Sequence, residues 1–232
     1  MERKEFIRIY FKNEAITLLE KTEFIYDKHK KVCEVLNKLD WVQNGNLLDW
    51  SDKENISIAL LKYFKKMIRS HTTVTKLNDD YFDKFSNSAV LNATKKYNNT
   101  FTFAYDIETK DHSEYNSILR IYKFELMPQL QNFQSAKSFI YALIEIFTPI
   151  SLEVVDRTLY AENEIMELNY LPGWMTYFDN SFKLPKLPEW VEVEKLPNGG
   201  HLIITTKEVF NPENNEHKEK ARVMLELLQL KG

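Results

Sequence analysis

Hydrophobic and polar positions repeat with two different periods along this chain of 232 residues. From Glu14 to Leu39, apolar residues recur every three or four positions, which predicts an amphipathic helix of about six turns. A second helix is expected after the capping-box residues of Ser51–Glu54. A third segment, Ala136–Phe147, is apolar nearly all round and predicts a buried helix that Pro149 should end.

Other segments alternate with a period of two or are short and rich in aromatic and β-branched residues, which indicates strands. These segments are Phe6–Phe11, Val90–Tyr97, Phe101–Ile107 and Ile118–Glu125. The last three are separated by turn-rich stretches, so we expect a meander of antiparallel strands. One or two helical turns are expected around Ser151–Leu159.

The C-terminal region predicts a hairpin followed by a helix. Strands at Trp190–Lys195 and His201–Thr206 flank Asn198-Gly199-Gly200, which suits the turn between them. Asn211 is expected to cap the last helix, with Pro212 at its first position. Three of the five glycines, Gly173, Gly199 and Gly200, lie in this region before the last helix, and we expect each to occupy a position that the backbone demands.

Together these elements predict an α+β fold, with an antiparallel sheet flanked by helices, in a single domain over residues 1–232. The hydrophobic fraction of 44% is enough for one substantial core, and no long Pro, Gly or Ser linker divides the chain. The first helix, the buried helix and the C-terminal helix are expected to contribute to that core.

The charge is distributed unevenly. The net charge is −3, and residues 145–194 hold 10 acidic and 3 basic side chains. A negative chain argues against nucleic acid as the main partner, because phosphate binding depends on clustered Lys and Arg. The acidic region is either a solvated face or one half of an interface for a basic partner. A basic helix face at Lys62, Lys65, Lys66 and Arg69 is interpreted as solvated.

Composition also bears on the compartment. The single cysteine, Cys33, allows no intrachain disulfide, which fits a reducing cytosol, and its position on the apolar stripe predicts a core thiol. We find no signal-peptide pattern and no apolar run long enough to span a membrane. The expected location is therefore cytoplasmic.

No recognisable catalytic motif occurs, and the five histidines lack partners at metal-ligand spacing. We therefore expect no catalytic residues, no bound metal and no cofactor. One catalytic alternative is Asp106 with Glu108 and Lys110, which is reminiscent of a metal-dependent nuclease core, although a solvated hairpin tip is the better interpretation. The carboxylates of Asp156, Glu162, Glu164 and Glu167 lack the glycine-bent loop that Ca²⁺ requires.

The order of three C-terminal motifs resembles one protein family. Gly173-Trp174-Met175-Thr176-Tyr177-Phe178 is followed by Gly199-Gly200 with Leu202-Ile203-Ile204-Thr205-Thr206, and then by Phe210-Asn211-Pro212-Glu213-Asn214 before His217. This order is similar to that of the immunity protein 52 family of bacterial polymorphic toxin systems, most clearly over Leu171–Leu228. The resemblance implies an α+β fold, no enzymatic activity and neutralisation of a cognate toxin by direct binding. Partners of the family include nucleases of the restriction-endonuclease fold.

Charge and aromatic residues predict where such a toxin binds. The acidic region supplies Asp156, Glu162, Glu164, Glu167 and Asp179, and the neighbouring Trp174 and Tyr177 supply aromatic anchors. For Trp174 the competing interpretation is a core tryptophan at the end of a strand. The competing hypotheses for function are a non-catalytic binding or regulatory protein with another partner and, less favoured, a metal-dependent nuclease.

Overall fold

One antiparallel sheet connects the N-terminal and C-terminal parts of the chain. The computed structural model describes residues 5–12, 17–38, 52–70, 87–92, 102–107, 117–122, 131–160 and 170–229. Within these residues the fold is α+β, as predicted, with helices packed on the sheet. The elements in chain order are β1 (Glu5–Phe11), α1 (Leu18–Lys38), α2 (Lys53–Ser70), β2 (Asn87–Asn92), β3 (Thr102–Ile107), β4 (Ser117–Tyr122), α3 (Phe133–Phe147), β5 (Ser151–Asp156), β6 (Met175–Phe178), β7 (Glu192–Lys195), β8 (His201–Ile204) and α4 (Asn215–Gln229).

The eight described strands lie in the order β2-β3-β4-β1-β5-β6-β8-β7, and every neighbouring pair is antiparallel. The predicted meander is confirmed as β2-β3-β4. The N-terminal strand β1 lies at the centre, between β4 and β5, and thereby joins the meander to the C-terminal strands. Strand β7 is the edge of the sheet within the described residues.

Helices α1 and α3 cover one face of the sheet. His29 of α1 makes edge contacts with the rings of Phe103 and Tyr105 in β3, and Phe147 of α3 packs on Phe11 of β1. Cys33 is buried on α1, as its place on the apolar stripe predicted. The apolar stripes of the helices thus face the apolar side of the strands.

Helix α4 packs on the opposite face of the sheet. Its Met224 and Leu228 form an apolar cluster with Phe178 of β6 and Ile203 of β8. Consecutive strand residues point to opposite faces, so Tyr177 and Phe178 are buried under different layers of helix. Double coverage explains why all four residues of β6 are buried.

The predicted helical turns at Ser151–Leu159 are wrong over most of that segment. Ser151–Asp156 is strand β5, and only Arg157–Leu159 forms a short 3₁₀ helix. All six residues of β5 are buried, because the strand lies inside the sheet and both its faces are covered. Polar and apolar residues alternate only over Ser151–Val154 before Val155 interrupts the pattern, and so short an alternation does not by itself separate a strand from a helical segment.

Two helix starts also differ from prediction. Asp52, rather than Ser51, caps α2, since its Oδ1 accepts a hydrogen bond from the Asn55 amide at 3.0 Å. Asn214, rather than Asn211, caps α4, since its Oδ1 accepts from the Glu216 amide at 2.9 Å. Both residue types are strong N-caps, so composition alone did not separate the neighbouring candidates. Ser51 lies outside the described residues.

The end of α3 agrees with the prediction from Pro149. Thr148 follows the helix in the left-handed conformation, with φ of 43°, and its amide donates to the Ile144 carbonyl. The proline ring disfavours α-helical backbone in the residue that precedes it. The chain therefore leaves the helix at Thr148 and enters β5 directly.

Candidate partner-binding surfaces

The structure places the predicted aromatic anchors in the core. Trp174 and Tyr177 each retain only 1% of their side-chain exposure. The competing interpretation of Trp174 as a core tryptophan therefore describes its position. A buried ring contributes to a partner interface only if the local structure opens, so these two residues act first on folding.

Of the predicted acidic contacts, Asp156 is buried and Asp179 is half-buried. Asp156 Oδ1 accepts hydrogen bonds from the Thr158 amide at 2.8 Å and the Thr158 hydroxyl at 2.6 Å. Asp179 Oδ1 accepts equivalent bonds from Ser181 at 3.0 and 2.5 Å. Both carboxylates thus stabilise turns that follow strands. Glu162, Glu164 and Glu167 lie outside the described residues, and the role of this segment in partner binding stays a prediction.

Other carboxylates of the acidic region have basic partners. Glu192 pairs with Lys207 at 2.6 Å, and Glu194 pairs with Lys137. Glu194 also accepts a hydrogen bond from the Tyr141 hydroxyl. Partial burial by itself would raise the pKa of Glu194. The hydrogen bonds from Lys137 and Tyr141 outweigh this effect and hold the pKa below its usual value. The negative field of this region is weaker than its composition suggests.

One charged pair is buried inside the sheet. Arg8 of β1 and Glu153 of β5 are directly opposite in the strand register, and Arg8 Nε lies 2.6 Å from Glu153 Oε2. The two side chains are 3% and 0% exposed. Burial raises the pKa of Glu153, while the Arg8 guanidinium opposes this rise. This pair holds the central strand in register with the C-terminal half of the sheet, because a slip by one residue would leave two buried charges unpaired.

The Gly-Trp-Met-Thr-Tyr-Phe motif joins β6 to the last strand of the hairpin. Trp174 Nε1 donates to the Thr206 carbonyl at 3.1 Å, and the Thr205 amide donates to the Trp174 carbonyl at 3.0 Å. A Cβ at Gly173 would lie 2.3 Å from the Val154 carbonyl oxygen. Glycine is therefore required for the chain to pass close to β5 before it enters β6.

Tyr177 connects the same motif to the Gly-Gly turn. Its hydroxyl accepts a hydrogen bond from Asn198 Nδ2 at 2.9 Å, and Asn198 Oδ1 accepts from the Gly200 amide at 3.0 Å. Gly199 has a φ of 85°, and a Cβ at Gly200 would lie 2.5 Å from the Tyr177 ring. The expected backbone demand on the three C-terminal glycines is thereby confirmed: one needs a positive φ, and two need close approach.

His217 fixes the third motif against α4. Its Nδ1 accepts a hydrogen bond from the Asn211 amide at 3.0 Å, and its ring packs on Phe210 with centroids 5.3 Å apart. Because Nδ1 is an acceptor, the neutral ring carries its proton on Nε2, which lies 3.5 Å from Glu208 Oε2. The third motif therefore holds the loop at Phe210 and Asn211 against His217 in the first turn of α4.

Exposed large apolar side chains occur in two places among the described residues. Trp190 and Val193 are exposed at the edge strand β7 and the turn before it. Leu19 of α1 and Ile58 and Tyr63 of α2 are exposed on the helical side. Neither set was identified from the sequence. Leu19 was counted in the apolar stripe of α1, which is wrong because its side chain is 51% exposed, whereas Ile58 does lie outside the stripe of α2.

The alternative catalytic site and the basic face of α2 are described only in part by the structure. Asp106 belongs to β3 but its side chain is outside the described residues, as are Glu108 and Lys110. Within the described ranges, no group of three His, Cys, Asp or Glu side chains is arranged to hold a metal ion. No helix there has the length and apolar character needed to cross a membrane. Of the predicted solvated face on α2, Lys62 and Lys66 are exposed, Lys65 is half-buried, and the side chain of Arg69 lies outside the described residues.

These observations define an α+β protein whose three C-terminal motifs are structural contacts around β6, the hairpin and α4. The family model described as Immunity protein 52 matches residues 153–232, so the resemblance to that family is confirmed over this segment. No curated protein matches the sequence. Among solved structures, the Pseudomonas aeruginosa T6SS protein PA0821 is similar, with 10% sequence identity, a TM-score of 0.53, and coverage of 97% of this chain and 72% of that chain. At this identity the similarity concerns the fold.

Proposed function

We propose that this chain is a bacterial immunity protein, which neutralises a cognate toxin by direct stoichiometric binding in the cytoplasm. The observation that carries the proposal is the match of residues 153–232 to the immunity protein 52 family. The contacts of Trp174, Tyr177 and His217 support it, because they give the family motifs a physical role in holding the matched segment together.

The proposed partner is a nuclease toxin of the restriction-endonuclease fold. A nuclease carries positive charge around its substrate groove, so an acidic protein is attracted to the surface that it must block. Inhibition then needs no catalysis by the immunity protein, since covering the groove excludes the nucleic acid. The proposal includes no cofactor and no nucleic acid contact for this chain.

Co-expression tests the proposal. The gene adjacent to this one is cloned with and without it under separate promoters, and survival of the host cells is counted. The proposal predicts that cells survive the toxin only when this protein is present, and that the two proteins elute together on gel filtration. Cell death despite expression of the folded protein, with no complex on the column, contradicts it. A complex without protection would favour a binding or regulatory protein with another role.

A further inference from the structure

A groove between helices α1 and α2 has the features of a docking site. It lies between the first half of α1 and the first half of α2 and has a volume of about 450 Å³. Leu19, Ile58 and Leu61 supply apolar walls, while Glu23 and Glu54 lie on the rim. This is within the range of cavities that hold an inserted side chain or small ligand.

The apolar walls of the groove are more exposed than the fold requires. Leu19 is 51% exposed and Ile58 is 42% exposed. Each lies next to the stripe that its helix buries, beside Leu18 on α1 and between Ile56 and Leu60 on α2. The two helices bury their apolar stripes without these two side chains, which form with Leu61 a small apolar surface that stays partly open to solvent.

A buried hydroxyl in the groove lacks a partner. Ser57 lines the groove and is only 8% exposed, and no group among the described residues makes a hydrogen bond with its Oγ. A hydroxyl in the middle of a helix ordinarily bonds to the carbonyl four residues earlier. The Oγ atom itself is closed off from solvent, so this unmade bond is a cost within the wall of the groove and is not a contact for the partner.

The surface around the groove is acidic. Five exposed carboxylates lie in the segments that form the groove: Glu20, Glu23 and Asp27 in the first half of α1, and Asp52 and Glu54 at the start of α2. Lys53 is the one basic residue among those that line the groove, and it pairs with Asp27 at 3.4 Å. The next exposed lysine of α1 is Lys31, one turn beyond Asp27. The exposed lysines of α2 begin only at Lys62, beyond the groove. The local charge therefore favours a basic partner, although residues 1–96 as a whole hold 18 basic and 14 acidic side chains.

We infer that this groove receives an apolar side chain of the toxin that is flanked by Lys or Arg residues. The inference rests on the proposed function for the identity of the partner. The groove offers the toxin an apolar contact surface, which the buried Trp174 and Tyr177 do not offer. The Trp190 and Val193 surface fits this role less well, because the Lys220 ammonium lies 5.5 Å from the centroid of the Trp190 ring and would repel a partner with flanking Lys or Arg residues.

Paired surface variants test the inference. The probe is the toxin encoded by the adjacent gene, inactivated by mutation, and binding is measured by surface plasmon resonance against the intact chain. The groove variant is the double substitution Leu19→Ser and Ile58→Ser. The control is the double substitution Trp190→Ser and Val193→Ser, which removes exposed apolar surface elsewhere on the molecule. We expect the groove variant to raise Kd by about 100-fold and the control by less than about 3-fold.

A second pair of variants tests the acidic rim without removing apolar surface. Glu23→Lys with Glu54→Lys is expected to lower the association rate about 10-fold at low salt and to flatten its salt dependence. The matched control is Glu189→Lys with Glu213→Lys, since both residues are exposed and lie away from the groove in sequence. Circular dichroism of each variant confirms that the fold is retained.

The outcomes separate the inference from the proposed function. If the wild-type chain does not bind the toxin, the proposed function is wrong and the inference fails with it. If the wild type binds and both folded groove variants bind equally well, the function stands and the groove assignment is overturned. Loss of binding only in the Trp190 and Val193 variant would place the interface at the sheet edge, which also overturns it.

Discussion

At the scale of single residues, the polar atoms of the motif side chains are used inside the fold. Trp174 Nε1 bonds to the Thr206 carbonyl, the Tyr177 hydroxyl to Asn198, and His217 Nδ1 to the Asn211 amide. Sequence analysis found these residues through their order along the chain. It could not decide which aromatic residues are buried, because burial depends on contacts between segments far apart in sequence.

The buried Arg8–Glu153 pair makes a prediction about stability. Glu153→Gln keeps the shape of the side chain but leaves the Arg8 charge buried without its counter-charge. We expect the free energy of unfolding to fall by about 3 kcal/mol or more, as measured by urea denaturation. The double replacement of Arg8→Met and Glu153→Leu should recover most of this loss, because it removes both charges. Equal losses for the single and double variants would contradict the pairing.

His29 predicts how stability changes with pH. The ring is fully buried, and burial lowers the pKa of His29 to about 3. A lowered pKa means that the folded state resists protonation of His29. The contribution of the neutral ring to the free energy of unfolding is therefore complete above the unfolded pKa of about 6.5, and it is lost as the pH falls towards 3. At pH 5 the loss from this one group is about 2 kcal/mol.

His29→Leu isolates this contribution. Its free energy of unfolding, measured by urea denaturation from pH 8 to pH 4, should fall less steeply below pH 6.5 than that of the wild type. The two slopes should agree above pH 7, where neither chain binds a proton at this position. Parallel curves over the whole range would show that His29 does not titrate on unfolding.

At the scale of elements, a helix or strand was predictable where one face is polar. The stripe of α1 and the alternation in β3 both follow from having one buried and one open face. Strand β5 was mistaken for helical turns, because both its faces are buried and Ser151, Glu153 and Asp156 carry polar groups into the interior. The partner of Glu153 is Arg8 on another strand, which no local pattern shows.

The start of α4 gives a prediction at this scale. Asn214→Ala removes the side-chain acceptor of the Glu216 amide, and we expect it to lower the free energy of unfolding by about 1 kcal/mol. Asn211→Ala removes the acceptor of the Glu213 amide, but that amide lies in the turn before the helix, and the bond from the Asn211 amide to His217 remains, so we expect a smaller loss. Urea denaturation of both variants compares them directly. A larger loss for Asn211→Ala would restore Asn211 as the cap.

At the scale of the whole molecule, charge and apolar surface are separated. The acidic composition of residues 145–194 is partly neutralised by Lys137, Lys207 and the buried Arg8. Exposed apolar side chains lie instead at the helical groove and at the sheet edge. Composition could predict an acidic interface, but it could not locate the apolar anchor, because the exposure of Leu19 and Ile58 depends on how α1 and α2 pack.

Reversing Glu162, Glu164 and Glu167 to Lys tests whether the acidic segment steers the partner. We expect slower association with the toxin and a weaker dependence on salt, since long-range attraction acts mainly on the association rate. Stopped-flow mixing at several salt concentrations measures both quantities, and circular dichroism controls for folding. An unchanged rate and salt slope would remove this segment from the interface.

The most direct test of the proposed immunity function is a titration of toxin activity. A fixed concentration of the adjacent gene's toxin, well above the Kd, is mixed with increasing amounts of this protein, and the remaining activity is measured on its substrate. Stoichiometric inhibition predicts a linear decrease that ends at a fixed molar ratio of the two proteins, with both in one complex by light scattering. Activity that stays unchanged at a large molar excess of folded protein would contradict the account.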